Sequence, residues 1–227
     1  MDSLRDKVAV VTGGSGGIGI EIGRAMLAEG MKVVLADITE EKLAAVEKEF
    51  GTADLVGVPV DVTDFDSLCA LRDATLERFG ACHVIVNNAA VGAGATGSVW
   101  EHHLNDWKWS IDVNVMGVIN GLNAFVPLLV EQDEGHVVNT SSGNGAYYPI
   151  ASSGMYPVTK AAITTLTECL WGQLRESGSK VSASVLLPSS PSPGVLATGI
   201  WMAGANRPER FRRGDGKGDV ARDALAE

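Results

Sequence analysis

At 227 residues, 45% of them apolar and 20% charged, the chain has the size and make-up of a globular domain with a substantial core, which argues against intrinsic disorder. A net charge of −10 disfavours nucleic acid and anionic membrane surfaces as partners. The three cysteines, Cys69, Cys82 and Cys169, lack metal-ligand spacing, so no metal site is expected and the thiols read as free in a reducing compartment. Residues Met1–Lys7 run straight into a strand with no signal-peptide pattern, and no apolar run approaches the roughly 18 residues of a membrane span. A cytoplasmic protein is the expectation.

Short β-branched runs alternate with helical patterns along the chain. Val8–Val11 is the first predicted strand, and Ile18, Ile22 and Met26 then recur every four residues, predicting an amphipathic helix ending near Gly30. Val33–Ala36 reads as a second strand, followed by a charged helix from about Glu40 to Phe50. Leu55–Val60 is a third strand, with a helix over Ser67–Phe79, and Val84–Val86 is a fourth. The segment Trp107–Val130 is apolar around much of its circumference, predicting a helix buried on two sides, by its own sheet or by a second subunit. His136–Asn139 is a fifth strand, and Val181–Leu187 a sixth, after a long helix beginning near Tyr156.

Near-continuous apolar strands alternating with helices mark a parallel sheet covered on both faces. The predicted fold is therefore α/β, a doubly wound, Rossmann-like parallel sheet in a single domain, with its core over about residues 5–200. Beyond Trp201 the chain turns polar, and Arg207, Arg210, Arg212, Arg213 and Lys217 cluster there. Residues 201–227 read as a solvated or mobile tail, with phosphate recognition as the lesser alternative.

The run Thr12-Gly13-Gly14-Ser15-Gly16-Gly17-Ile18-Gly19 lies between the first strand and the first helix, the context a dinucleotide loop needs. Glycines allow close backbone approach, and the helix N-terminus points N–H groups at phosphates. Asp37 ends the second strand, 18 positions after Gly19. A carboxylate there accepts hydrogen bonds from both hydroxyls of an adenine ribose and repels a 2′-phosphate, which favours NAD(H) over NADP(H). Asp37 read alone also fits a helix cap. Asp61-Val62 closes strand three and Asn87-Asn88-Ala89-Ala90 closes strand four, at the carboxyl ends where ligands of such sheets collect.

Tyr156 and Lys160 stand four apart on one predicted helix, with Pro157 in its first turn. A phenol is a poor base at neutral pH, and a neighbouring ammonium together with the positive nicotinamide would lower its pKa. Ser142, after the fifth strand, can bond a substrate oxygen. Taken alone, such a pair reads more readily as surface residues; beside a nucleotide loop it suggests hydride transfer coupled to proton transfer.

In combination the motifs resemble the short-chain dehydrogenase/reductase family over roughly residues 5–200. Thr12-Gly13-x-x-x-Gly17-Ile18-Gly19 is similar to its cofactor motif, Asn87-Asn88-Ala89-Ala90 to its Asn-Asn-Ala-Gly signature, and Tyr156-x-x-x-Lys160 to its active-site motif. The resemblance implies that Tyr156 is the acid/base, Lys160 lowers its pKa and binds the nicotinamide ribose, and Ser142 polarises the carbonyl. It implies a catalytic Asn114, joining Lys160 to a proton relay, and cofactor contacts from Gly13, Ser15, Gly16, Gly17, Ile18, Gly19, Asp37, Asp61, Val62, Asn88 and Ala89. The family's Pro-Gly pair after strand six is displaced here: Pro188 is followed by Ser189, and Pro193-Gly194 carries the pattern instead, so the nicotinamide contact falls to Pro193 and Gly194. The family's seventh strand is not found in the sequence, so six strands are expected, and the long helices leave a homodimer surface.

The function that follows is an NAD-dependent oxidoreductase interconverting a secondary alcohol and a ketone. An NAD(H)-binding sensor or scaffold with little catalysis is the alternative. The substrate pocket is expected from Val91, Gly92, Ala93, Tyr148, Met155, Ile200, Trp201 and Met202, which favours a hydrophobic small molecule.

Overall fold

The computed structural model describes residues 1, 3–92, 97–149, 154–188 and 198–214. Six parallel strands form one sheet: β1 (Val8–Thr12), β2 (Lys32–Asp37), β3 (Leu55–Pro59), β4 (Val84–Asn87), β5 (His136–Thr140) and β6 (Ser182–Leu186). Their order is β3-β2-β1-β4-β5-β6, so the winding direction reverses between β1 and β4. The expected six-stranded doubly wound sheet is present among the described residues.

The period-two alternation of each strand sorts its side chains into two layers. On one face Ala9, Val11, Val33, Leu35, Val84 and Val86 meet Ile20, Ile22 and Met26 of α1 (Gly17–Ala28) and Leu43 and Val46 of α2 (Glu40–Phe50). On the other, Val10, Val34, Ile85 and Val137 pack with Leu68 and Leu71 of α3 (Phe65–Phe79). That layer also takes in Ala124, Phe125 and Leu129 of α5 (Gly117–Glu131) and Leu174 of α7 (Met155–Glu176). β1 is buried at every position, because it has strands on both edges and helices on both faces.

The long helix expected over Trp107–Val130 is not continuous in geometry. It comprises α4 (Leu104–Ile111), one π turn over Asp112–Met116, and α5. The wide turn carries Asn114, whose buried side chain is bonded elsewhere in the fold. Leu104–Glu131 is also long and apolar enough to cross a membrane, contrary to the expectation that no segment is. Its apolarity has an internal use: Gly117, Val118, Gly121, Ala124, Phe125 and Leu129 are buried, several of them against the sheet.

The polar segment after residue 201 is only partly solvated. Gly199–Asn206 and Glu209–Phe211 form 3-10 turns, and Arg207 is buried at 4% exposure, paired with Asp106 of α4. Arg213 reaches the same carboxylate. The solvated reading thus fails for these two arginines and holds for Arg210, whose side chain is 55% exposed.

A buried polar chain ties the central strands to α7. Asn87 Nδ2 donates to Asn139 Oδ1 at 2.8 Å, and Asn139 Nδ2 donates to Thr167 Oγ1 at 2.9 Å. The remaining Asn87 oxygen faces Gly121 of α5 so closely that a Cβ there would collide with it. Gly121→Ala should therefore destabilise the protein by about 1–3 kcal/mol, through overpacking at a buried carbonyl. Gly172→Ala in α7 meets nothing within 4 Å and should stabilise it by about 0.5–1 kcal/mol, the helix-propensity gain. Urea denaturation of both variants checks the pair, and equal shifts would refute the packing argument.

Candidate active site

The nucleotide loop is shaped by backbone crowding. Gly13 has φ +65°, and a Cβ there would lie 2.9 Å from the Ala89 Cα. Gly14 crosses Leu35 equally closely, and Gly19 packs on the Gly13 carbonyl. α1 begins after Gly16, with no side-chain cap and no acidic residue in its first turn. Its first N–H groups therefore face the cleft free of side-chain acceptors, an arrangement that suits a pyrophosphate. A dinucleotide fits the residues present: the cradle is one that side chains would fill, and Thr140 Oγ1, on the cleft wall, is buried without a partner among the described residues.

Thr12 is the joint between the loop and β4. Its hydroxyl accepts the N–H groups of Asn88 at 3.0 Å and Ala89 at 3.1 Å, while Asn88 Nδ2 donates to the Thr12 carbonyl at 3.0 Å. Asp37, at the end of β2, accepts from Ser15 N and Thr39 N, each at 3.2 Å, which aims its carboxylate at the glycine loop. Asp61 turns one oxygen onto Thr63, accepting from both its N–H and its hydroxyl.

At the opposite end Ser142 follows β5 and caps the short helix α6 (Gly143–Ala146), accepting from Asn144 N at 3.3 Å. Tyr156 and Lys160 rise from the first turns of α7. Lys160 is 2% exposed; its Nζ donates to the Thr140 carbonyl at 2.8 Å and lies 5.8 Å from the centre of the Tyr156 ring. Burial pulls its pKa down to about 8. Burial pushes the Tyr156 phenol up from its ordinary value, opposed by a hydrogen bond from Ser142. In the cleft without cofactor desolvation thus holds the phenol up, whereas the expected lowering by Lys160 and the oxidised nicotinamide together belongs to the cofactor-bound state.

Gly13, Ser15, Gly16, Gly17, Ile18, Gly19, Asp37, Asp61, Val62, Asn88, Ala89, Ser142, Tyr156 and Lys160 all line one cleft of about 740 Å³. Asn114 does not line it. It lies fully buried behind the wall, where Oδ1 accepts from Val91 N at 2.7 Å and Nδ2 donates to Val91 O and Thr159 Oγ1. Thr159 Oγ1 in turn donates to the Tyr156 carbonyl at 2.9 Å. Asn114 thus fastens the loop after β4 to the first turn of α7. Pro193, Gly194 and Ala93 lie outside the described residues, as do the side chains of Trp201 and Met202.

Of the other expected pocket residues, Val91 and Ile200 line the cleft, Tyr148 is 74% exposed away from it, and Met155 is buried in a cluster beside it. Sequence reasoning misses Trp109, Val113 and Ala203 as wall residues, and Lys42 at the nucleotide end. Trp109 and Val113 carry no signal apart from the apolar helix that contains them. Among the described residues no cluster of metal-ligating side chains occurs.

Residues 7–203 match the family described as short chain dehydrogenase. The chain is 35% identical over 203 residues to an uncharacterized oxidoreductase of Staphylococcus aureus strain MW2, covering 89% of this chain and 84% of that one. Among solved structures it is similar to a short chain dehydrogenase/reductase from Burkholderia phymatum in complex with NAD, with 40% identity and a TM-score of 0.86, covering 93% of this chain and 74% of that one. A metagenomic short-chain oxidoreductase in complex with NADP is 34% identical with a TM-score of 0.75, covering 83% of this chain and 85% of that one.

Burying the Lys160 ammonium has a consequence for stability. Its folded pKa of about 8 lies below the ordinary 10.5, so the folded state holds fewer protons between those values. The stability linked to this group is present above the higher value and lost as pH falls through the lower one. Lys160→Met should accordingly stabilise the protein at pH 7 by about 1–3 kcal/mol, less the lost bond to Thr140, and the gain should shrink as pH rises from about 8 to 10. Urea denaturation at pH 7 and pH 9.5 measures this; an equal difference at both would show that the buried charge is not the cause.

Proposed function

The chain belongs to the short chain dehydrogenase family, and we propose that within it this protein is an NAD-dependent oxidoreductase interconverting a secondary alcohol and a ketone. The observation that carries the reading is one cleft with Asp37 at its nucleotide end and Ser142, Tyr156 and Lys160 at the other. When bound, the nicotinamide supplies the hydride acceptor or donor. The chain's residues do the rest. Tyr156 takes the proton from the alcohol oxygen in oxidation and returns it to the carbonyl oxygen in reduction. The Ser142 hydroxyl bonds that oxygen and the phenol together. Lys160, its charge held close to the phenol with few competing waters, stabilises phenolate once the positively charged oxidised ring adds its own field. Asn114 keeps the Val91 loop and the Tyr156 turn in register.

For the cofactor, Asp37 supports NAD: its carboxylate would accept both ribose hydroxyls of a bound adenosine and would repel a 2′-phosphate. Pro193 and Gly194 remain assigned to the nicotinamide amide. The reading extends to a cytoplasmic homodimer formed through the α4–α5 and α7 faces, where Ile111, Met116, Val158 and Trp171 are exposed. A one-chain mass in sedimentation at micromolar concentration would count against the dimer.

Titration by fluorescence should give NADH binding about tenfold or more tighter than NADPH, a difference of about 1.4 kcal/mol. Asp37→Ser should narrow that ratio, and a preference for NADPH in the native chain would overturn the assignment. Tyr156→Phe should lower turnover by about 10²–10⁴-fold while leaving NADH affinity nearly unchanged. Full turnover in that variant would remove Tyr156 from the chemistry. Tight NADH binding without turnover over a broad alcohol and ketone panel would favour the sensor instead.

A further inference from the structure

Among the described residues Asp106 is the only fully buried carboxylate, and it stands in the first turn of α4, apart from the reacting groups. Arg207 Nη1 donates to its Oδ1 at 2.7 Å, and Arg213 reaches both oxygens, through Nε at 3.1 Å and through Nη2. The Arg207 guanidinium also stacks 4.5 Å above the centre of the Trp109 ring and donates to the Phe211 carbonyl at 3.4 Å. Trp109, Phe211 and Met155 form a small buried cluster, with Val91, Val113 and Ala203 packed on it. Trp109, Val91, Val113 and Ala203 are also cleft-wall residues. The ion cluster thus abuts the cleft wall through Trp109, on whose ring Arg207 stacks.

Apolar contacts alone tolerate sliding, since they have no preferred direction. A guanidinium fork on a carboxylate has a direction, and taking away its charge removes the acceptor that both guanidinium groups share. The 3-10 segment Gly199–Asn206 contributes Gly199, Ile200 and Ala203 to the wall, and the Ile200 carbonyl accepts from Gly92 N at 3.3 Å. Its register across the cleft is held from its far end, by Arg207 and Arg213.

We propose that Asp106 is a positioning residue for the substrate end of the cleft: with Arg207 and Arg213 it seats residues 199–211 against Trp109 as an apolar wall that selects neutral alcohols and ketones bearing an apolar group. The proposal rests on the oxidoreductase reading of the cleft. The glycine loop and Asp37 stand at the other end of the cleft, so cofactor affinity is the reading that separates a local effect from a general one.

The test uses the full chain and two variants: Asp106→Asn, which removes the charge, and Arg213→Gln, a milder change at a side chain only partly buried. Hydrogen–deuterium exchange reads the segment directly, and Asp106→Asn should speed exchange over residues 199–206 by about tenfold while the central strands stay protected. With NAD⁺ and 1-phenylethanol, KM should rise by about tenfold with kcat and the NADH dissociation constant changed little. The preference for 1-phenylethanol over 2-propanol should fall by a similar factor, and Arg213→Gln should give a smaller shift in the same direction. A general structural role would move kcat, KM and NADH affinity together, and that outcome overturns the proposal, as does unchanged exchange over 199–206. If Asp106→Asn does not fold, Arg213→Gln decides by the same readings. Failure of the wild type to oxidise either alcohol sinks the substrate class and counts against the oxidoreductase reading, while the exchange arm still decides whether Asp106 seats the segment.

Discussion

The Thr12 hydroxyl stands where β1 and β4 part, and the geometry of the cleft follows from what it bonds. By accepting the Asn88 and Ala89 N–H groups it ends β4 as an extended run and turns that chain alongside the glycine loop. Asn88 returns the contact through the Thr12 carbonyl. On the other side of the switch point Gly13 sits against Ala89 so closely that no side chain fits between them. A parallel sheet leaves a crevice at such a point because successive crossovers go to opposite faces. Here the crevice is held at a fixed width by a hydroxyl and a missing Cβ.

A second constraint acts at the reacting end. Lys160 is an ammonium that is 2% exposed and has one acceptor among the described residues, the Thr140 carbonyl. Its desolvation lowers its own pKa and that same low polarity raises the phenol of Tyr156. The arrangement is one in which an incoming positive ring has a large electrostatic effect, because little solvent is present to screen it. Buried Asn114 contributes no charge to this, but it fixes the distance between the Val91 loop and the turn from which both side chains rise.

Much of this is legible in the sequence, for local reasons. The bounds of α2 are readable because a charged amphipathic run stops at Gly51, whose φ of +59° ends the helix. The glycine loop, Asp37 and the Tyr156–Lys160 spacing are readable because their chemistry depends on residues close in sequence. What is hidden depends on distant partners. The start of α3 lies two residues before Ser67, since Asp64 caps it through Asp66 N. No residue type encodes the π turn at Asp112–Met116, which coincides with the place where Asn114 meets a loop 23 positions earlier. Arg207 reads as solvated because its partner Asp106 is 101 positions away. The upward shift of Tyr156 is hidden for the same reason, since burial is a property of the assembled wall.

The ion pairs that join residues 207–213 to α4 and the turn after it differ in what they can enforce. Arg210 bonds Thr63 and Asp112 with more than half of its side chain in water, so solvent and salt screen the pair and its contribution is small. Arg207 and Asp106 are nearly dry, so the pair is hardly screened and has few alternative geometries. Buried pairs of this kind add little net stability relative to an apolar substitute, because desolvation offsets the attraction. Their distinct contribution is to penalise every register but one. The position of the cleft wall is thus set by a pair that adds little net stability relative to an apolar substitute, and such a comparison on its own would underrate it.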